Sequence, residues 1–374
     1  MTRVLGLFLA AMPPAAIFLA QTWLVAAGQS EMVLALAKHA GLLALLFFAF
    51  DGNSGLAPAL MRLRHDDANI RTAFLVYRGA VMIVLAALLP LAWHWDREET
   101  SGLLPFCAAA LLLRLLCLDA DLDRKNLQHW SMLLQNLWML PLAAVAVGIG
   151  KVDAQAAGHC ALWSSAVYSA VHFRIHPPMR WAPISSVGAP LREICHLMAA
   201  NGIGQLYGRG VLFVIGTSFA GPVASLVVYA KQLFNASGIV VGYLRRVELQ
   251  DQGTPSMRLS LLGQAVITIV GSVILALAAQ RLAIAPTILA AVILWQVAEK
   301  LSSTEIYSFQ TVDRHNLAFA GLMTVVALGS AGLLVATLTG ALEGFLAGET
   351  LAFALVLLLW AINQRHLFAR SAAS

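Results

Sequence analysis

The sequence predicts an all-α polytopic membrane protein of about twelve transmembrane helices, in two six-helix lobes related by an internal repeat. Three observations predict it. The 374 residues are 60% hydrophobic and only 11% charged, where a soluble domain carries about 25% charge. Apolar runs of about 17–25 residues, the length that crosses ~30 Å of hydrocarbon, recur along the whole chain. The basic residues segregate to alternate inter-span segments, as the positive-inside rule requires. A β-barrel is excluded, because its strands alternate in polarity and run only about ten residues.

Span 1 covers residues 4–27. It is long and leads straight into further spans, so it reads as a helix and not as a signal peptide. Pro13 and Pro14 each remove a backbone donor and predict a kink near its middle, either a static bend or a hinge. Spans 2 to 6 cover 31–50, 72–93, 102–118, 129–149 and 156–173. The Pro-rich basic stretch "RIHPPMRWAPISSVGAPLR" (174–192) then divides six spans from six. It predicts an N-terminal lobe at 1–175, a cytoplasmic linker at 176–193 and a C-terminal lobe at 194–374. Spans 7 to 12 cover 194–217, 221–244, 258–280, 282–304, 316–339 and 345–364.

With the N-terminus inside, eighteen basic residues fall at cytoplasmic ends and loops, from Arg3 through Arg78 and Arg114 to Arg370. Only Arg97, Lys151 and Arg281 fall outside. This bias supports twelve spans with both termini cytoplasmic. It accounts for the pI near 9.2 without a nucleic acid partner. The four cysteines lack metal-site spacing and read as small packing residues.

Three basic residues lie inside spans: Lys38, Arg209 and Lys231. Each sits roughly 10–15 Å from the outer end at 1.5 Å per residue. All 19 acidic residues read as lying in loops or near span ends, so the deep interior is expected to hold three cations and no matching carboxylate. Unpaired buried charge is normally avoided; three at similar depth predict one shared, water-filled cavity. Asn201, Gln205 and Arg209 follow at i, i+4 and i+8 along span 7, and Lys231 and Asn235 do so on span 8. The halves begin alike, "FLAAMPPAAI" (8–17) against "LMAANGIGQL" (197–206), and Ala-Lys pairs recur at 37–38 and 230–231. Repeated halves with a site between them near mid-membrane are a transporter architecture.

The glycine-rich span 7 with "IGTSFAGPVASLVVYAKQLFNASG" (215–238), and "LALAKHAGLLALLFFAFDGNSGLAPALMRLR" (34–64), resemble bacterial polysaccharide biosynthesis transporters. These are the lipid-linked oligosaccharide (O-antigen type) flippases of the multidrug/oligosaccharidyl-lipid/polysaccharide exporter superfamily. The resemblance implies an inverted-V fold that rocks between inward- and outward-open states in the bacterial inner membrane. It implies a cavity lined by spans 1, 2, 7 and 8 and an undecaprenyl-pyrophosphate-linked glycan as cargo. Arg209, Lys231 and Lys38 would then attract the pyrophosphate. Asn201, Gln205, Tyr207, Gln232 and Asn235 would hydrogen-bond sugar, and His39 would titrate near neutrality. No cofactor is implied beyond H+ or Na+ coupling. The partners implied are membrane lipids, the lipid-linked glycan and other polysaccharide-assembly proteins. Many members of that family carry an acid in the first half of span 7, and this chain does not. Glu299 and Glu305 are substitute coupling candidates; a local salt bridge with Lys300 is the simpler account.

Two other classes remain open. A multidrug exporter of the same superfamily would want carboxylates in its cavity. A membrane glycan polymerase or glycosyltransferase would need large outer loops, and the largest read as 94–102 and 339–350. No nucleotide loop, metal cluster or nucleophile triad is visible, so a transporter is expected and not an enzyme.

Overall fold

A computed structural model describes residues 2–51, 67–95, 97–118, 128–175, 180–233, 257–311 and 315–371. Among them there are helices, one 3-10 turn (Ile184–Ser186) and no strand. In the first half the helices are α1 (Thr2–Ala26), α2 (Ser30–Asp51), α3 (Asp67–Trp95), α4 (Arg97–Arg114), α5 (Gln128–Gln135), α6 (Met139–Gly148) and α7 (Ala154–Ile175). In the second half they are α8 (Gly188–Ser218), α9 (helical over 221–233), α10 (Met257–Arg281), α11 (Pro286–Thr311), α12 (His315–Thr339) and α13 (Glu343–Ser371). Each of the twelve expected spans meets a helix, with α5 and α6 sharing span 5. By length and apolarity alone, four described helices qualify as spans, and a fifth if the bent α5–α6 pair counts as one.

The differences from expectation have local causes. Span 5 is bent by 48° between α5 and α6. Pro141 has no amide hydrogen for the Leu137 carbonyl, and its ring crowds that turn. Met139 and Leu140 accordingly bond back three residues, to Asn136 and Leu137. In α1, by contrast, Pro13 and Pro14 lie buried inside one continuous helix. The expected linker is shorter than 176–193, because α8 already starts at Gly188. Pro190 falls in its first turn, where a missing donor costs nothing. The two outer loops also shrink: α4 begins at Arg97 and α13 at Glu343. Glu343 stands in the first turn of α13, where the helix dipole favours an acid. Asp153 caps α7 through the Ala156 amide at 2.9 Å. That bond, with Lys151 beside it, holds its carboxyl below the usual range.

The first half is tied by a buried ionic knot. Asp51 receives Arg78 at 3.0 Å on one oxygen and Arg114 at 2.9 Å on the other. Arg78 also donates to the carbonyls of Arg114, Leu115 and Cys117, which the end of α4 leaves without helical partners. Arg114 donates to Ser165 at 2.9 Å and lies 4.0 Å over the Phe47 ring. Helices α2, α3, α4 and α7 are thereby joined. Arg78 and Arg114, read as part of the cytoplasmic basic excess, are instead structural residues buried inside the bundle.

The second half closes on small residues. Helices α12 and α13 pack extensively on each other. A Cβ on Gly348 would come within 2.9 Å of Gly332 Cα, so the two backbones touch. Helix α8 joins the halves, packing on α2 and α3 of the first and α12 of the second.

Asp51→Ala should leave two buried guanidinium groups without a counter-ion. It is expected to destabilise the protein by about 3–5 kcal/mol, read as a lowered unfolding midpoint in detergent. Substituting the exposed Glu31 should leave the midpoint unchanged.

Candidate functional site

Helices α2 and α8 approach closely at two glycines, Gly41 of α2 and Gly216 of α8. A Cβ on Gly41 would meet the Arg209 carbonyl at 3.1 Å and Leu212 Cβ at 3.2 Å. A Cβ on Gly216 would meet Lys38 Cβ at 2.9 Å and the Leu34 carbonyl at 3.0 Å. Lys38 and Arg209 thus both sit on the α2–α8 seam between the halves. Further along the same interface, Ser225 donates to the Ser30 carbonyl at 2.9 Å. Thr22 and Tyr229 share a hydrogen bond of 2.8 Å, and Tyr229 stacks on Phe18.

Arg209 is partly buried on this seam. Its guanidinium donates to the Ala44 carbonyl at 3.3 Å and lies 5.5 Å over the Phe48 ring. Among the described residues no carboxylate pairs with it. An arginine has five donors in a planar fork suited to phosphate and carboxylate. One carbonyl uses one of them.

Lys231 has a different environment, which corrects the expectation of three cations without matching carboxylates. Its ammonium bonds Glu299 at 2.9 Å and lies 3.8 Å from Glu349. Glu349 had been placed in the 339–350 loop. The early start of α13 turns that segment into helix and carries the carboxylate into the bundle, where it is fully buried. Tyr207 donates to one Glu349 oxygen at 2.6 Å, and the Trp295 indole N–H donates to the other. Lys231 also lies 5.2 Å over the Trp295 ring. The site therefore joins α8, α9, α11 and α13. The side chain of Lys300, the other expected partner of Glu299, lies outside the described residues.

The sequence-predicted residues divide accordingly. Arg209 and Lys38 both lie on the seam, at different heights. Lys231, Tyr207 and Glu299 belong to the second cluster, where Tyr207 serves Glu349. His39 turns away from the seam, bonding the Ala35 carbonyl at 2.8 Å within electrostatic reach of Asp153 at the start of α7. Gln232 is half-buried beside Lys231. Asn235, and the side chains of Asn201, Gln205 and Glu305, lie outside the described residues. Trp295 and Glu349 went unread in the sequence. The signal available was Glu349 seven residues into an apolar helix, at the depth of a second helical turn.

The fold is the two-lobed, twelve-helix fold of transporters in the MOP superfamily. Over 97% of its length the chain is similar to an inward-facing multidrug resistance MATE family transporter of that superfamily, at 13% identity, 96% coverage of that chain and a TM-score of 0.52. Over 100% of its length it is similar to an outward-facing one, at 11% identity, 96% coverage and a TM-score of 0.56. It is also similar to a MATE protein in complex with Br-NRF, at 12% identity, 97% and 94% coverage and a TM-score of 0.51. No protein-family profile matches the sequence, and no curated protein matches it.

Gly329 makes the second cluster possible. A Cβ there would overlap the Tyr207 hydroxyl, which passes over α12 to reach Glu349. Gly329→Ala should displace the phenol and cost about 1.5–3 kcal/mol, the worth of a hydrogen bond to a charged group. In a Tyr207→Phe background the hydrogen-bond part of that cost should disappear, while the overlap with the ring Cζ, 2.6 Å from that Cβ, remains. Unfolding midpoints of the two single variants and the double variant measure the difference.

Proposed function

We propose that the chain is an alternating-access transporter that flips a lipid-linked anionic glycan precursor across the bacterial inner membrane, from the cytoplasmic to the outer leaflet. Residues 1–175 and 194–374 would be the two lobes that rock. Arg209 carries this reading. Its guanidinium sits where the two halves meet, partly buried, with one carbonyl as its hydrogen-bond partner and no carboxylate among the described residues. A fixed cation in that position suits a phosphate that arrives with the cargo. Lys38 stands on the same seam, about two turns from Arg209's contact at Ala44, and adds to the field. The fold likeness to transporters described in inward- and outward-facing conformations supports the rocking motion. The earlier resemblance of the glycine-rich α8 and the α2 segment to polysaccharide flippases supports the cargo class.

A second reading is a multidrug exporter with a cationic cargo. The structural neighbours, described as multidrug resistance transporters, favour it, as do the two carboxylates of the second cluster. Those carboxylates, however, already hold the Lys231 ammonium, while Arg209 would repel a cation.

Binding of a short polyprenyl pyrophosphate and of tetraphenylphosphonium to the purified protein separates the readings. The pyrophosphate should bind, and Arg209→Ala should weaken it roughly 10- to 100-fold, the loss of one or two charge-assisted hydrogen bonds. Arg209→Lys should retain part of the affinity. Tetraphenylphosphonium binding that Arg209→Ala leaves unchanged or improves, with no pyrophosphate binding, would overturn the glycan reading.

A further inference from the structure

The segment between the halves has two unlike faces. Over 180–187 it is non-helical apart from the Ile184–Ser186 turn. Its inner face is fixed to α3. The Ala182 amide donates to the Thr72 hydroxyl at 2.9 Å, and the Ser186 hydroxyl donates to the Asn69 side chain at 2.9 Å. Val187 is buried in a small core with Ile70 and Phe74 of α3 and Ile194 of α8. On the outer face Ile184 is 73% exposed and Trp181 40%. Arg180 and Arg192, on either side of them in the chain, are exposed as well.

Two helix lengths and one bonding constraint give the depth of this segment. Helix α8 has 31 residues and α3 has 29. Each is about 40–45 Å long at 1.5 Å per residue, against ~30 Å of hydrocarbon. The excess stands in the headgroup layers, and the segment joins both helices at their first turns. Non-helical backbone is also excluded from lipid-exposed hydrocarbon, where its polar groups would go unbonded. The backbone of 180–187 therefore lies among the wet headgroups. Tryptophan prefers that depth, and an isoleucine left largely uncovered by protein is stabilised by leaving water for the acyl chains. The guanidinium fork matches phosphate oxygens. Glu193, beside Arg192, is half-buried and has a partner of its own.

We propose that residues 180–192 form a docking strap for anionic bilayer lipids. Trp181 and Ile184 enter the boundary of the acyl chains, and Arg180 and Arg192 bind the lipid phosphates beside them. The apolar anchors alone would accept any lipid. The two arginines add a preference for headgroups of net negative charge, about fivefold for each basic residue near such a surface. The strap runs into α8, which starts at Gly188 and carries Arg209 further along. Lipid bound here therefore holds the start of the seam helix against α3.

The test uses the full-length protein in lipid nanodiscs without cargo, so its outcome leaves the glycan reading untouched. A bimane fluorophore is attached at Ile184→Cys, in a Cys195→Ser background because Cys195 is exposed while Cys107, Cys117 and Cys160 are buried. A second label at Lys151→Cys, where the side chain is 75% exposed, gives the aqueous reference. Lipids with brominated acyl chains should quench the label at 184 and spare the one at 151. In mixed bilayers, brominated phosphatidylglycerol should occupy the site about 5- to 25-fold more readily than brominated phosphatidylcholine, the product of one or two such fivefold preferences. Arg180→Gln with Arg192→Gln should bring that ratio towards one while phosphatidylcholine still quenches. A label at 184 quenched no more than the one at 151 would overturn the proposal. So would a ratio near one in the unaltered strap, or a raised ratio that the double variant leaves intact.

Discussion

A fully buried carboxylate in a membrane bundle has to be met by donors, and Glu349 is met by three side chains from three different helices. Tyr207 comes from α8, Trp295 from α11 and Lys231 from α9. None of these contacts is local in sequence, so the carboxylate acts as the point where four helices agree on their positions. Gly329 leaves the gap through which the phenol reaches it. The Gly332–Gly348 approach brings α12 and α13 close enough for that gap to matter. Remove the carboxylate and its donors lose the reason for converging; remove a donor and the charge is left exposed to hydrocarbon.

The two halves solve the same problem differently. The first half buries Asp51 between two arginines and spends the remaining guanidinium donors on carbonyls at the end of α4. That knot is saturated apart from one Arg78 nitrogen, and it lies within a single half. The second half sets two carboxylates around the Lys231 ammonium. The two Ala-Lys pairs, on α2 and α9, have different surroundings. Lys38 lies along the seam against Gly216, and Lys231 lies behind it.

The seam itself is built for close approach. Gly41 and Gly216 let α2 and α8 meet backbone to backbone, and this is what brings Arg209 within reach of the Ala44 carbonyl. The cation is held by the Ala44 carbonyl and by the Phe48 face, with no ionic partner among the described residues. A bundle that separates at this seam would uncover Arg209, and one that closes there would cover it.

The all-helical class and the approximate place of each span were legible in the sequence, because crossing hydrocarbon demands a fixed length of apolar chain whatever surrounds it. The unusual position of Arg209 could be read too, since a guanidinium in an apolar run is costly wherever its neighbours lie. The bend at Pro141 and the early helix starts at Gly188, Arg97 and Glu343 lay at the edges of that signal, where apolar length no longer discriminates. What only the tertiary structure decided was pairing. Glu349 and Lys231 are 118 positions apart in the chain, and Asp51 and Arg114 are 63 apart. Charge compensation depends on distances of a few ångströms between separate helices, and no local pattern in a sequence encodes them.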